Sequence, residues 1–565
     1  MAVLLAWVSW DSDAPDPGDW EPMLKRAAAR SRFSGRLLAA PGLRLFAART
    51  RAAAPDPIHI DNGEWLAIDS TLSTGSLGVL GLSPAIEQPC AAIRIDPAQR
   101  RVVLSLDVLG QRRLAYASVP GCLIVASGEH ILLAHRCVQP TRDDEYLAAF
   151  VTQLPSAPEA TPFSGVRQLR PGETRTWQDG KSVAAVRPLL PDQSWQRLSE
   201  SEMVAEYRKR MLTAVERTVA GSGRIAVSLS GGMDSAVIAG CLKMSEATHA
   251  VAVTYGFADW PQIDERSLAG EICAATGLEH ITFTADHLFP LSSTGSRPTC
   301  PDVPYSSPFR EIKEATYAAL HQTGADVWLS GDFGDHLSAD PSDWLGDAIH
   351  YRRFAAAFRR LSWNLRERGL LAGVWQDRGI RRAARSVFKR PHWPGLRFLR
   401  AEHREALRRR LDSELQALSC FPRPLQAFHV LNARAAYSAA GESWFADRHG
   451  MENRLPFRDP HLTRWMLSLP VDLSFRDGTW KWIVRRAFAS QLPQTISNRP
   501  KLSDLTPFVD AACAAQAREW AALATEGRSL IEHLLDDDAI AKADSDDAWD
   551  LRWAFISVAL WARAQ

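Results

Sequence analysis

Apolar residues follow two different rhythms along this chain. Through the first third they come in short runs broken by glycine, proline and polar turns. Arg101–Val108 and Arg113–Val119 flank a Leu-Gly-Gln turn, and Cys122–Ala126 and His130–Ala134 flank Ser-Gly-Glu, so both pairs predict β-hairpins. The opening residues, apolar from Ala2 and soon acidic, predict a first strand rather than a signal peptide. Arg187–Ser194, with prolines at 188 and 191, reads as a connection that neither helix nor strand continues through. Beyond it, helix-spaced stripes alternate with brief apolar runs. Helices are predicted over 201–219, 264–276 and 309–322, and strands over 225–229, 250–255, 280–283 and 327–329. That order predicts a parallel sheet with crossover helices, and a ligand site at the carboxyl ends of its strands.

Composition narrows the class. A chain of 565 residues exceeds one hydrophobic core, so two domains or more are expected. The 46% apolar and 23% charged fractions are those of an ordinary globular protein, and a net charge of +1 exerts no global pull on nucleic acid or membrane. No apolar stretch is long enough to span a bilayer, so membrane insertion is not expected. The 8 cysteines are scattered without Cys-x-x-Cys pairs, which signals neither zinc nor disulfides and fits a reducing cytoplasm. One region departs from the rest: arginine pairs and triplets at 352–353, 359–360, 381–382 and 408–410 punctuate a helical, aromatic-bearing stretch. It reads either as a solvated helical insertion or as a peptide- or partner-binding surface, with nucleic acid a minor option.

The chemistry concentrates at two strand ends. Ile225–Leu229 suits a strand covered on both faces, and Ser230-Gly231-Gly232 then turns into a helix carrying Asp234 and Ser235. Glycines without side chains admit a ligand to the backbone, and a helix start offers free N–H groups to anionic oxygens. A plain glycine turn is the alternative. The Ser-Gly-Gly-x-Asp-Ser pattern resembles the pyrophosphate loop of ATP pyrophosphatases, which cleave ATP between the α and β phosphates. Ser330-Gly-Asp-Phe-Gly-Asp335 ends a second strand and exposes Asp332 and Asp335 near that loop. Asp234 and Asp335 are the pair expected to hold magnesium, since hard oxygen ligands suit that ion.

Three later segments extend the resemblance: Arg448–Asp459, Gly478–Phe488 and Leu492–Lys501. In this order they resemble the synthetase domain of the asparagine synthetase superfamily, with its β-lactam synthetases and lasso-peptide cyclases. Asp107–Leu114 and Pro162–Gly172 resemble the N-terminal domain of the same proteins. The resemblance implies an α/β and α+β architecture. An N-terminal Ntn-hydrolase-like, glutaminase-type sandwich spans 1–190, and a C-terminal adenine-nucleotide α-hydrolase-like parallel sheet spans 196–565, with a helical insertion over about 341–419. Glutamine-using relatives begin Met-Cys and release ammonia through that thiol; here Ala2 follows Met1. Without a thiolate there is no nucleophile for glutamine. That departure points to the members that join a carboxylate and an amine of one molecule. The basic, aromatic insertion favours a lasso-peptide cyclase acting on a peptide. An ammonia-dependent asparagine synthetase, a β-lactam synthetase and a non-catalytic ATP-binding scaffold stand as alternatives.

The resemblance also implies roles. ATP would lie on Val227, Ser228, Leu229, Ser230, Gly231, Gly232, Asp234, Ser235, Val253, Tyr255, Ser330 and Gly331, with Lys501 on pyrophosphate. Lys481 would contact the α-phosphate and the tetrahedral intermediate, or else be a surface lysine of an amphipathic helix. Asp332 stands where relatives carry a Glu or a basic Tyr and would orient or deprotonate the amine; its alternative is a turn-stabilising aspartate. Glu452 is a second candidate on the acceptor side, its alternative a salt bridge to Arg448 or Arg454. Expected partners are a precursor or core peptide, a leader peptidase and a leader-recognition protein.

Overall fold

The computed structural model describes residues 2–10, 19–31, 33–51, 54, 56–70, 87–245, 249–293, 298–338, 345, 352–370, 393–432, 434–499, 504–543 and 545–565. The first strand, β1 (Ala2–Ser9), is buried along its whole length because it has neighbours on both edges and layers on both faces. One sheet comprises β1, β2 (Arg36–Ala40), β3 (Leu43–Arg49), β8 (Ala115–Val119), β9 (Cys122–Ala126) and β10 (Arg167–Gln168), in the order β10-β8-β9-β1-β3-β2. The other comprises β4 (Ile58–Asp61), β5 (Glu64–Ser70), β6 (Cys90–Asp96), β7 (Arg101–Leu106), β11 (Glu173–Gln178) and β12 (Lys181–Val186), in the order β12-β11-β7-β6-β5-β4. Alternation along β1 divides its side chains. Leu4, Ala6 and Val8 meet Ile93, Val102 and Leu104 between the sheets, while Val3 and Leu5 face the core shared with the rest of the molecule.

Neither hairpin predicted from the turn spacing forms. Arg101–Leu106 and Ala115–Val119 lie in different sheets. Between them the Asp107 carboxylate accepts from the N–H groups of Cys90, Leu109, Gln111 and Arg112, which makes the Leu-Gly-Gln segment a crossing loop. The true hairpin is β8–β9 across Pro120-Gly121, where Gly121 takes the positive φ of 75° that such a turn requires. Glu129–Leu132 is a helical turn, so the expected strand from His130 is absent.

The second sheet system comprises β13 (Ile225–Ser228), β14 (Ala250–Gly256), β15 (Glu279–Thr284), β16 (Val327–Leu329) and β17 (Glu452–Arg454). They are all parallel, in the order β15-β14-β13-β16-β17. Their connecting helices include Met233–Met244, Arg266–Thr276 and Arg310–Gln322; Glu200–Val219 precedes β13, entered through a Ser199/Glu202 capping box. The chain runs outward from β13 to β15, then returns to the other side at β16. Strand order reverses between β13 and β16, and at such a reversal the loops leave in opposite directions and open a crevice.

The arginine-rich insertion is partly integrated. Helix Ala401–Ala417 buries Leu407 and Leu411 in the common core, and Arg410 donates to Glu145 and to the Pro155 carbonyl of the N-terminal region. Near the C-terminus, Trp561 packs on Phe163 at 5.4 Å between ring centres. All 8 cysteines are free. Among the described residues, no helix is long and apolar enough to cross a membrane.

Candidate active site

Two loops interlock at the crevice. After β13 the Ser235 hydroxyl accepts from Ser230 N–H at 3.1 Å, and the Ser230 hydroxyl accepts from Gly232 N–H at 3.1 Å, so the turn is braced from within. Gly231 N–H donates to the Glu265 carboxylate at 3.2 Å, and Arg499 joins the same carboxylate at 2.8 Å. An anion thus already sits where the glycine turn was expected to receive phosphate, and the three N–H groups are engaged within the protein. After β16, a Cβ added at Gly334 would lie 2.3 Å from the Asp234 carboxyl carbon, and one at Gly331 would lie 3.1 Å from Ser235 N. Only glycine lets the second loop close on the first.

Lys481 completes the crevice from the C-terminal side. It sits at the head of the helix Trp482–Phe488 in a left-handed conformation, φ 55°, and is 4% exposed. Its ammonium meets Asp234 Oδ2 at 2.5 Å and Asp335 Oδ1 at 2.7 Å. A left-handed lysine costs on the order of 1 kcal/mol or more, and the two carboxylates hold it there.

Two cavities meet at this point. The first, about 470 Å³, is walled by both loops, Tyr255, Lys481 and Arg499. The second, about 320 Å³, lies between the N-terminal sandwich and the parallel sheet and is walled in part by Gln111, Arg112, Glu442 and Arg458. Ser307, Lys313, Asp332, Phe333 and His336 line both. Lys313, on the helix Arg310–Gln322, lies 3.3 Å from Glu442 and 3.6 Å from Asp332, over the Trp328 ring at 5.1 Å. Burial works against its charge, but Asp332 and Glu442 hold it protonated above the ordinary lysine value. Glu442 is fixed in turn by the hydroxyls of Tyr305 at 2.8 Å and Tyr317 at 3.1 Å.

Most of the expected residues converge. Ser228, Leu229, Ser230, Gly231, Gly232, Asp234, Ser235, Tyr255, Ser330, Gly331, Asp332, Asp335 and Lys481 all line the first cavity. Val227 and Val253 do not: they are core residues on opposite sheet faces, and the Val253 carbonyl already accepts from Leu229 N–H. Glu452 is also displaced. Fully buried on β17, it pairs with Arg51, Arg112 and Arg454, and Arg51 also reaches Asp326. Burial alone would push its carboxyl up. The surrounding positive charge, these three arginines included, outweighs that and holds it well below the ordinary range, so it is a structural anion rather than a base. Lys501 lies outside the described residues. Lys313, Glu265, Arg485 and Arg499 line the first cavity without having been expected there. Arg499 stood inside the segment Leu492–Lys501, which was its only signal.

Among the described residues, no three His, Cys, Asp or Glu side chains converge as a metal site. Asp234 and Asp335 meet on one ammonium, so two hard carboxylates share one small space. That fits magnesium, which keeps waters and takes phosphate oxygens besides one or two carboxylates.

The reversal point of the parallel sheet thus carries a braced glycine loop, paired carboxylates and a buried lysine, and the family match below makes this the site of an ATP-dependent ligase that forms C–N bonds. The asparagine synthase family matches residues 206–563, and the glutamine amidotransferase domain matches residues 69–187. The chain belongs to the asparagine synthase family. It is 25% identical over 82% of its length to a "Putative asparagine synthetase (glutamine-hydrolyzing)" of Mycobacterium bovis and of Mycobacterium tuberculosis, covering 75% of those proteins. It is 25% identical over 71% of its length to carboxyethyl-arginine beta-lactam-synthase of Streptomyces clavuligerus, covering 61% of that protein. Among solved structures, glutamine phosphoribosylpyrophosphate amidotransferase from B. subtilis aligns at 12% identity, covering 59% of this chain and 81% of that one. Its TM-score of 0.23 is too low to define a shared fold.

Proposed function

We propose that this chain closes a macrolactam ring in a ribosomal peptide, as a lasso-peptide cyclase does, in a reducing cytoplasm. The substrate is a leader-free core peptide with a free N-terminal amine and an Asp or Glu side chain further along. The carboxylate oxygen attacks the α-phosphorus of ATP; the bond to the β-phosphate breaks and pyrophosphate leaves. The amine then attacks the acyl-adenylate carbon, AMP leaves, and the amine proton passes to a base at the cavity threshold. A leader peptidase and a leader-recognition protein would deliver the peptide.

One observation carries this reading: the cavity lined by the glycine loop and Lys481 shares a wall with a second cavity between the domains. An acyl-adenylate in the first is thereby within reach of an amine held in the second. Bringing the two together makes the closing step effectively unimolecular, worth up to about 7–11 kcal/mol. In this reading Lys481 would meet the charge growing on the α-phosphate, Asp332 would face the amine, and Asp234 and Asp335, which already meet on one ammonium, would hold the magnesium that neutralises the phosphates.

The matches to asparagine synthetases favour a second reading, an ammonia-dependent asparagine synthetase, and the beta-lactam-synthase match favours a small-molecule lactam former. The test is pyrophosphate release from ATP and magnesium, with mass spectrometry of a candidate core peptide in the same reaction. Peptide-dependent pyrophosphate with loss of one water from the peptide supports the cyclase. Pyrophosphate with aspartate and ammonium, and none with peptide, replaces it by the asparagine synthetase.

A further inference from the structure

The threshold between the two cavities carries one ion pair of opposite charges, and its geometry is loose. Lys313 Nζ and Asp332 Oδ2 stand 3.6 Å apart, beyond the 2.7–2.9 Å typical of a tight charge-assisted hydrogen bond. The two ends are held very differently. Lys313 is 24% exposed at its side chain and is retained by Glu442, itself tied to Tyr305 and Tyr317. Asp332 is 48% exposed at its side chain, on the loop after β16, with its N–H on the Ser330 hydroxyl. Lys481, another cation of the crevice, is committed to Asp234 and Asp335, and Arg499 to Glu265. Among the described residues, Lys313 is the one lysine or arginine that lines both cavities.

A substrate that is to become a lactam brings one carboxylate and one ammonium into this space, the same two charges as the resting pair. We propose that the substrate splits the pair: Lys313 holds the carboxylate that is to be adenylated, and Asp332 receives the ammonium. Glu442 keeps Lys313 anchored while its outward partner changes from Asp332 to the substrate. The exchange leaves each buried charge compensated at every stage, which lowers the cost of bringing two charged groups into a partly buried space. The assignment rests on the adenylation reading above and names the side chain that selects the carboxylate.

The two halves separate experimentally. The probes are a synthetic peptide with a free N-terminal amine and one Asp or Glu, its N-acetylated form, and the form with that residue amidated, each assayed by ATP–pyrophosphate exchange with the full chain. Wild type should exchange with the first two and not the third. Lys313→Met should raise the peptide KM for exchange about tenfold or more with both active peptides, leaving the ATP KM unchanged, and Lys313→Arg should recover part of the loss. Asp332→Asn removes the carboxylate that competes for Lys313, so it should lower the KM of the acetylated peptide for exchange and lose lactam formation with the free amine. An unchanged peptide KM in Lys313→Met, or equal rises for peptide and ATP, overturns the assignment while adenylation stands. Silence of wild type with every carboxylate, free aspartate included, overturns adenylation and this assignment with it.

Discussion

Lys481 combines a left-handed backbone, near-complete burial and two carboxylate partners, a set of constraints that packing alone does not require. Lys481→Met should therefore leave the fold intact and lower pyrophosphate release by about 10²–10³, the loss of one aimed donor worth about 2.7–4 kcal/mol. A thermal melt beside the kinetics separates this from unfolding. At this scale the sequence was informative where a residue type is dictated by its chemistry. Asp234 and Asp335 were legible as hard ligands beside a glycine loop. Lys313 was not, since a lysine on an amphipathic helix looks like any solvated lysine until Glu442 is brought beside it from a distant helix. For Glu452 the alternative held, since it pairs with Arg454 two residues on, but its further partners Arg51 and Arg112 arrive from another domain, and spacing along the chain does not report them.

Among elements, the two crevice loops show why glycine pairs were readable and hairpins were not. A Ser-Gly-Gly turn after a buried strand has few other uses, whereas a Gly between two apolar runs says nothing of which sheet each run joins. Asp107, with four backbone donors, diverts the chain between sheets, and no local pattern marks that carboxylate as buried. Val227 and Val253 show the same limit, since period-two alternation does not state which strand end remains open. The interlock yields a sharp expectation. Gly334→Ala would drive a methyl into the Asp234 carboxylate, where a Cβ has only 2.3 Å, so Asp234 must move off Lys481. Activity should fall at least tenfold with little change in melting temperature, and an Ala variant with wild-type turnover would show that the loops stand apart in solution.

Across the whole molecule, Glu452 ties the parallel sheet to the sandwich. Glu452→Gln would leave Arg51, Arg112 and Arg454 with a diminished buried partner, a loss on the order of 3–5 kcal/mol at neutral pH. Because its folded carboxyl lies well below the ordinary 4.5, its stabilisation is complete above that value and fades as pH falls beneath it. The gap in melting temperature between wild type and Glu452→Gln should thus be widest near pH 7 and narrow steadily below about pH 4.5. A gap independent of pH would mean the glutamate acts through packing. The same cluster bears on position 2, where this chain has Ala. Ala2→Cys should release no glutamate from glutamine, because the N–H at that position is bound to Asp69, which is itself paired with Arg112. Glutamate formation in a coupled assay would contradict this.

The four-sided charge cluster has a consequence for how such a chain can change over time. Each domain carries half of a lock whose other half lies in its neighbour: Glu452 and Asp326 on one side, Arg51 and Arg112 on the other. A sandwich borrowed from a relative with different residues at those positions would leave bare ions at the seam. The two parts are obliged to diverge together, so the sandwich is kept as an inseparable half of the other.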